Sequence, residues 1–430
     1  MSLRPLLTIA WASALNRRGT LALVIAGIAL ATALLLGLER LRTDIREGFT
    51  TSVSGTDLVV GARSSPIQLM LYAVFRVGGA TNNISMASLQ AVESHRAVAW
   101  VVPLSLGDSH RGRPVLGTTT AYFERFRHGD RQPLVLAQGR PFAGTLDGLY
   151  EAVIGAEVAE ALGYGLGERI VLSHGSGGAF GGALSSDHAD KPFTVVGVLA
   201  RTGTPVDRTV HVSLEALEAI HLDWAGGAPI PGLTIPPEAA RKFDLTPRQA
   251  TAALVGLKNR VAVFNVQRFV AEYEAEPLMA VLPAVALDEL WQVVGPAEQS
   301  LLVISGLVAV VSLASLVAVV LAGLNERRRE LAVLRAVGAG PRKVLLLLAA
   351  EGVLVTLAGA LAGVVMAALA VLAAGPLLQQ HFGILLSTAP PTGAQWSLLG
   401  AVLAAGMLAS LVPGWRAYRL SLADGLSPRT

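Results

Sequence analysis

The chain has 430 residues, 52% of them hydrophobic and only 15% charged, with a net charge of +3. An average soluble domain carries about 25% charged residues, so the composition argues for a membrane protein. The modest charge, with no basic tail, excludes nucleic-acid binding, and the absence of cysteine excludes disulfides, thiolate metal sites and a cysteine nucleophile.

In chain order, residues 1–18 read as a cytoplasmic segment in which 3–15 (LRPLLTIAWASAL) is an amphipathic helix on the membrane face. Residues 19–38 are uncharged and long enough to cross a hydrocarbon core, which takes roughly 20 apolar residues. The run is too long for a signal peptide and no small-x-small cleavage site follows it. Glu39–Val53 reads as the same helix continuing beyond the membrane.

Residues 39–299 are far too long for a connection and must be folded. Strands are expected at 56–62 (TDLVVGA), 98–106, 113–119, 151–155, 169–174 and 193–200. Helices are expected at Met86–His95, Ala156–Leu162, Leu214–His221, Pro247–Leu257 and Val266–Tyr273. Leu287–Gln299 should be a helix that feeds the second span. Strands and helices mix without regular alternation, which predicts an α+β domain. Inside it, SHGSGGAFGGALSSDHADKP (173–192) reads as an exposed Gly/Ser-rich loop. His174, Asp187, His188 and Asp190 lie there and have the donor chemistry of a divalent-metal site. Their irregular spacing among glycines favours a solvated loop, so no metal site is expected.

The second span is expected at 300–324 and the third at 344–374, interrupted only by Glu351. A loop at 375–394, a fourth span at 395–413 ahead of or at Pro413, and a tail at 414–430 complete the chain. Three basic clusters sit at alternate ends of these spans. They are Arg4, Arg17 and Arg18; Arg327, Arg328, Arg329, Arg335, Arg342 and Lys343; and Arg416, Arg419 and Arg429. The positive-inside rule puts all three in the cytoplasm. The expected fold is therefore an α-helical membrane protein with four transmembrane helices and a large extracytoplasmic α+β domain between spans one and two.

None of the lysines, Lys191, Lys242, Lys258 and Lys343, follows a glycine, so the sequence holds no phosphate-binding loop. Nucleophile elbows and zinc-protease motifs are missing too. Ionisable residues within the spans are too few for a proton- or ion-driven carrier. The segment 325–343 has the pattern of a docking helix. Leu331 and Leu334 share a face, Gly338 is a natural stop and Pro341 a natural start. Its arginines suit acidic groups on a partner. In span three, Gly359 and Gly363 form a G-x-x-x-G that permits close helix approach.

The stretch ERRRELAVLRAVGAGPRKVLLLLAAEGVLVTLAGALAGVVMA (326–367) resembles the permease family that includes MacB, FtsX, LolC and LolE. The tail PGWRAYRLSLADGL and the outer-domain stretch from Gly139 to Leu214 are similar to the same family. The resemblance implies an ABC-transporter permease, itself non-catalytic and without cofactors, in a bacterial inner membrane. It departs from MacB in lacking a fused ATPase domain, so a separate ABC ATPase subunit is expected. The implied coupling residues are Glu326, Arg327, Arg328, Arg329, Glu330, Leu331, Leu334, Arg335, Gly338 and Ala339, with Glu351, Gly359 and Gly363 as the transmembrane family motif. A second permease copy or a similar chain, membrane lipids and a periplasmic protein are the other implied partners. The implied work is mechanotransmission for export or extraction of a lipophilic, lipoprotein or peptide substrate. Two further readings are an FtsX-like regulator that transports nothing, and a member of a zinc-related ABC system.

Overall fold

A computed structural model of the chain describes residues 18–79, 82–174, 187–225, 228–230, 232–326, 340–382 and 386–419. It divides into two compact units, Met1–Ile45 with Gly295–Thr430, and Arg46–Val294.

Among the described residues, Arg46–Val294 is built on an 11-stranded mixed sheet. Nine strands cross it: β1 Leu58–Ala62, β2 Val98–His110, β3 Arg113–Thr118, β4 Leu136–Gly139, β5 Glu151–Ile154, β6 Phe193–Leu199, β7 Val210–Ser213, β8 Ala252–Leu257 and β9 Leu278–Val281. Their spatial order is β9-β1-β8-β2-β3-β7-β5-β6-β4, with Arg169–Ile170 beside β6 and Ser173–His174 beside β2. The β5–β6 and β3–β7 pairs are parallel. The long β2 pairs with β8 at one end and β3 at the other, and so joins the two halves of the sheet.

Strand β1 is buried along its whole length because both faces are covered. Leu58 and Val60 face a core with Leu89 and Val92 of the helix Met86–Glu93 and Val266 and Val270 of the helix Val263–Ala271. Val59 faces the opposite core with Leu69 and Tyr72 of the helix Pro66–Ala73. This is the period-2 alternation of a strand, hidden in the sequence because neither face is polar. In the other half of the sheet, Val195, Val210 and Ile154 pack on Val158 and Ala216 from the helices Ala156–Leu162 and Leu214–Ile220. Ser213 caps the last of these helices, its Oγ accepting from Ala216 N at 3.1 Å.

Two expectations are corrected. Pro247–Leu257 is not a helix: Gln249–Ala250 is a short strand and Ala252–Leu257 is β8, an inner strand of the sheet. Its alanines suggested helix, yet Ala253 and Val255 face one core while Ala252 and Leu254 face the other. The indole of Trp100 lies where a side chain on Gly256 would stand, so only glycine fits there. The expected strand 169–174 is two short pieces, Arg169–Ile170 and Ser173–His174, on different partners.

The other unit holds most of the apolar helical residues. Among the described residues, four helices are long and apolar enough to cross a membrane, at Arg18–Phe49, Pro283–Ala322, Pro341–Leu378 and Gly393–Arg416. The first runs unbroken to Thr51, and the second starts at Pro283 and runs through Pro296 to Glu326. The third begins at Pro341, where a fixed φ suits a helix start. The fourth continues through Pro413 to Arg419, so that proline does not end it. Residues 3–15 lie outside the described residues.

Candidate functional site

The first helix is the hub of the apolar unit. Leu21, Val24, Ile28 and Leu35 are buried against Leu316, Val320, Val355 and Val402 from the other three. Ser312 Oγ donates to Gly27 O at 3.1 Å, tying the second helix to the first. Gly359 and Gly363 of the third helix face it as well. A β-carbon on Gly359 would lie 2.7 Å from Ile28 Cβ, and one on Gly363 would lie 2.6 Å from Thr32 Cβ and 2.7 Å from Ala29 O. These two backbones are in direct contact, as small-xxx-small pairs permit in a bilayer. The third and fourth helices meet through Gly352 against Ser410 and Gly406 against Thr356. Glu351 is half-buried in the third helix.

A polar clamp holds the connection between the third and fourth helices. Arg40 is 6% exposed. Its guanidinium donates to Ser387 O at 2.6 Å, Ala389 O at 2.9 Å and Pro390 O at 3.3 Å. Asp44, 3.3 Å from Arg40 Nε, accepts from Ser387 N at 2.8 Å. Gln395 Nε2 donates to Leu36 O at 3.1 Å. Beside this clamp is a cavity of about 370 Å³ lined mainly by apolar groups, including Leu36, Val364, Val371, Leu372, Trp396 and Leu399.

The coupling segment is described only at its start. The second helix carries Glu326 as its final residue. Arg327, Arg328, Arg329, Glu330, Leu331, Leu334, Arg335, Gly338 and Ala339 lie outside the described residues.

In the sheet domain the loop residues separate. Only the backbone of His174 is described, paired with Asp108 across the ladder. Asp187 accepts from Ser173 Oγ at 2.5 Å. Asp190 lies 2.9 Å from Lys191 Nζ, which also donates to both oxygens of Asp223, at 2.7 and 2.8 Å. His188 is fully buried, and burial, with His221 nearby, pushes its pKa down to about 4. It belongs with Asp108 and His221, which the sequence did not single out. His221 follows a helix and Asp108 sits near the end of β2, so no local spacing links them.

Family models match most of the chain. The FtsX-like permease C-terminal model matches residues 302–422, and the MacB-like periplasmic core domain model matches residues 19–240. The latter covers more than half of the 430 residues, and the chain belongs to the MacB/FtsX family of ABC-transporter permeases. Members of that family are normally non-catalytic and work with an ABC ATPase, often as dimers. Among solved structures, the chain is similar to the periplasmic region of MacB from Actinobacillus actinomycetemcomitans. That match has 12% identity and a TM-score of 0.34, and covers 56% of this chain and 94% of that one. It is also similar to the extracellular domain of the noncanonic ABC-type transporter YknZ from Gram-positive bacteria. There the identity is 14% and the TM-score 0.29, over 52% of this chain and 98% of that one. No curated protein matches.

Proposed function

We propose that the chain is the membrane subunit of an inner-membrane ABC system that passes the ATP-driven motion of a separate ATPase to its outer domain. The observation that carries this reading is the length of two helices. Arg18–Thr51 has 34 residues and Pro283–Glu326 has 44. At 1.5 Å per residue they span about 51 and 66 Å, against a hydrocarbon core of about 30 Å. Each therefore has turns to spare beyond the bilayer, and a continuous helix transmits displacement along its own length with little loss, which a flexible linker does not.

The three basic clusters support a cytoplasmic side for both termini and 325–343, and on this reading Leu331, Leu334 and Arg335 dock on the ATPase there. Leu301, Val303, Ile304, Leu307, Val310 and Val311 leave one flank of the second helix exposed among the described residues. That flank meets lipid or a second permease, a copy or a similar chain. The apolar cavity beside Arg40 supports a lipophilic substrate over a polar one.

Hydrolysis by the isolated chain tests this reading. Purified free of other proteins, it should hydrolyse no ATP, because no phosphate-binding loop is present. Robust hydrolysis that co-elutes with the chain would refute the division of labour.

A further inference from the structure

We propose that Asp108, His188 and His221 bind one divalent ion of the zinc class, at a site in the sheet domain independent of the permease reading. One ligand atom from each of the three lies within 4.8 Å of the other two. His221 Nε2 and Asp108 Oδ1 are 3.7 Å apart. Zinc bonds of about 2.0–2.2 Å to nitrogen and oxygen in a tetrahedral site place ligand atoms about 3.3–3.6 Å from each other. Small side-chain rotations close the difference.

Three features distinguish this group from chance packing. First, His188 is 0% exposed and neither ring nitrogen has a hydrogen-bond partner among the described residues. Buried polar atoms are nearly always satisfied, so two empty nitrogens on one ring call for a ligand. Second, His221 Nδ1 lies 2.7 Å from Leu217 O. A carbonyl can only accept, so Nδ1 carries a proton, and in the neutral ring Nε2, the atom facing Asp108, is then the nitrogen with the lone pair. This is the usual outer support of a metal-binding histidine. Third, the Trp224 ring lies 4.3 Å from the His188 ring and restrains it.

The nearby positive charge does not oppose an ion. Lys191 Nζ is held by Asp223 and Asp190 at 2.7–2.9 Å. Two imidazoles with one carboxylate suit zinc and neighbouring transition ions, while calcium and magnesium prefer oxygen throughout. Three protein ligands leave a fourth position for water or a further group. The ligands come from the end of β2, from the segment after residue 186 and from the end of the helix Leu214–Ile220. An ion there would pin three separate segments together.

The test uses the untagged full chain in detergent, stripped with EDTA and titrated with Zn²⁺ by calorimetry. One equivalent should bind, Mg²⁺ and Ca²⁺ should not compete, and thermal unfolding should move up with Zn²⁺. Co²⁺ should give the visible absorption of a four-coordinate ion with nitrogen and oxygen ligands. His221→Gln and Asp108→Asn should each weaken binding by at least about tenfold, and His188→Ala should abolish it. His95→Ala should change nothing. Failure of the wild-type chain to bind one equivalent would overturn the site, whatever the variants do. Binding undiminished in both His221→Gln and Asp108→Asn would overturn it too.

Discussion

Leucine at Gly363 and leucine at Gly375 should have opposite effects, although both glycines lie in the third helix. At Gly363 a β-carbon alone would stand 2.6 Å from Thr32 Cβ and 2.7 Å from Ala29 O. Carbon atoms in contact prefer about 3.5–4.0 Å, so the first and third helices would have to part by about 1 Å before the rest of the side chain is placed. Forced overpacking typically costs about 1–3 kcal/mol. At Gly375 nothing lies within 4 Å of the added carbon. There the substitution gains helix propensity, up to about 1 kcal/mol. Thermal unfolding of the full chain in one detergent, with oligomer size checked by gel filtration, measures both. Gly363→Leu should melt lower than wild type and Gly375→Leu at or above it, with Gly359→Leu siding with Gly363→Leu. Equal melting of the Gly363 and Gly375 variants would refute the close contact of the two helices.

Further predictions concern the sheet domain and the topology. Lys191→Met leaves Asp223 buried without its partner and should destabilise the domain by about 3–5 kcal/mol; adding Asp223→Asn should recover part of that, by the midpoint in urea. His211 is fully buried, and burial, reinforced by Arg76, pushes its pKa down to about 3. The unfolded chain protonates it near 6.5, so its contribution is complete above 6.5 and is lost as pH falls toward 3. About 2 kcal/mol should go between pH 7 and pH 5. His211→Gln should flatten that part of the stability profile, and an unchanged slope would contradict the assignment. Cysteines introduced at Ser185 and Ser427 of this cysteine-free chain report topology: an impermeant thiol reagent should label the first and not the second in intact spheroplasts.

The apolar helices were legible because their signal is local. Each is an uncharged run, and Pro341 marks a start by its own geometry. The strands that alternate or end in turn residues were legible too, as at Arg113–Thr118 and Phe193–Leu199. What escaped depends on distant partners. Ala252–Leu257 is a strand only because cores close over both of its faces. Leu278–Val281 is too short to show a period and is fixed by pairing with Leu58–Ala62. The loop histidines were visible as residue types, but His188 acquires Asp108 and His221 only once β2 and the helix Leu214–Ile220 lie side by side with it. The clamp around Arg40 is equally non-local, since its acceptors are carbonyls of 387–390.

The most direct test of the account is ATP hydrolysis by the complex captured from native membranes on this chain, compared between wild type and the Leu331→Ala, Leu334→Ala double variant. Truncating interface anchors typically costs about 1–4 kcal/mol, and about 1.4 kcal/mol is tenfold in affinity. The double variant should therefore insert normally, because neither residue lies in a span, yet lose the partner ATPase and its activity by at least about tenfold. A double variant that inserts and retains full hydrolysis would contradict docking at 326–339. A wild-type chain captured with no ATP-hydrolysing partner would contradict the ABC coupling itself.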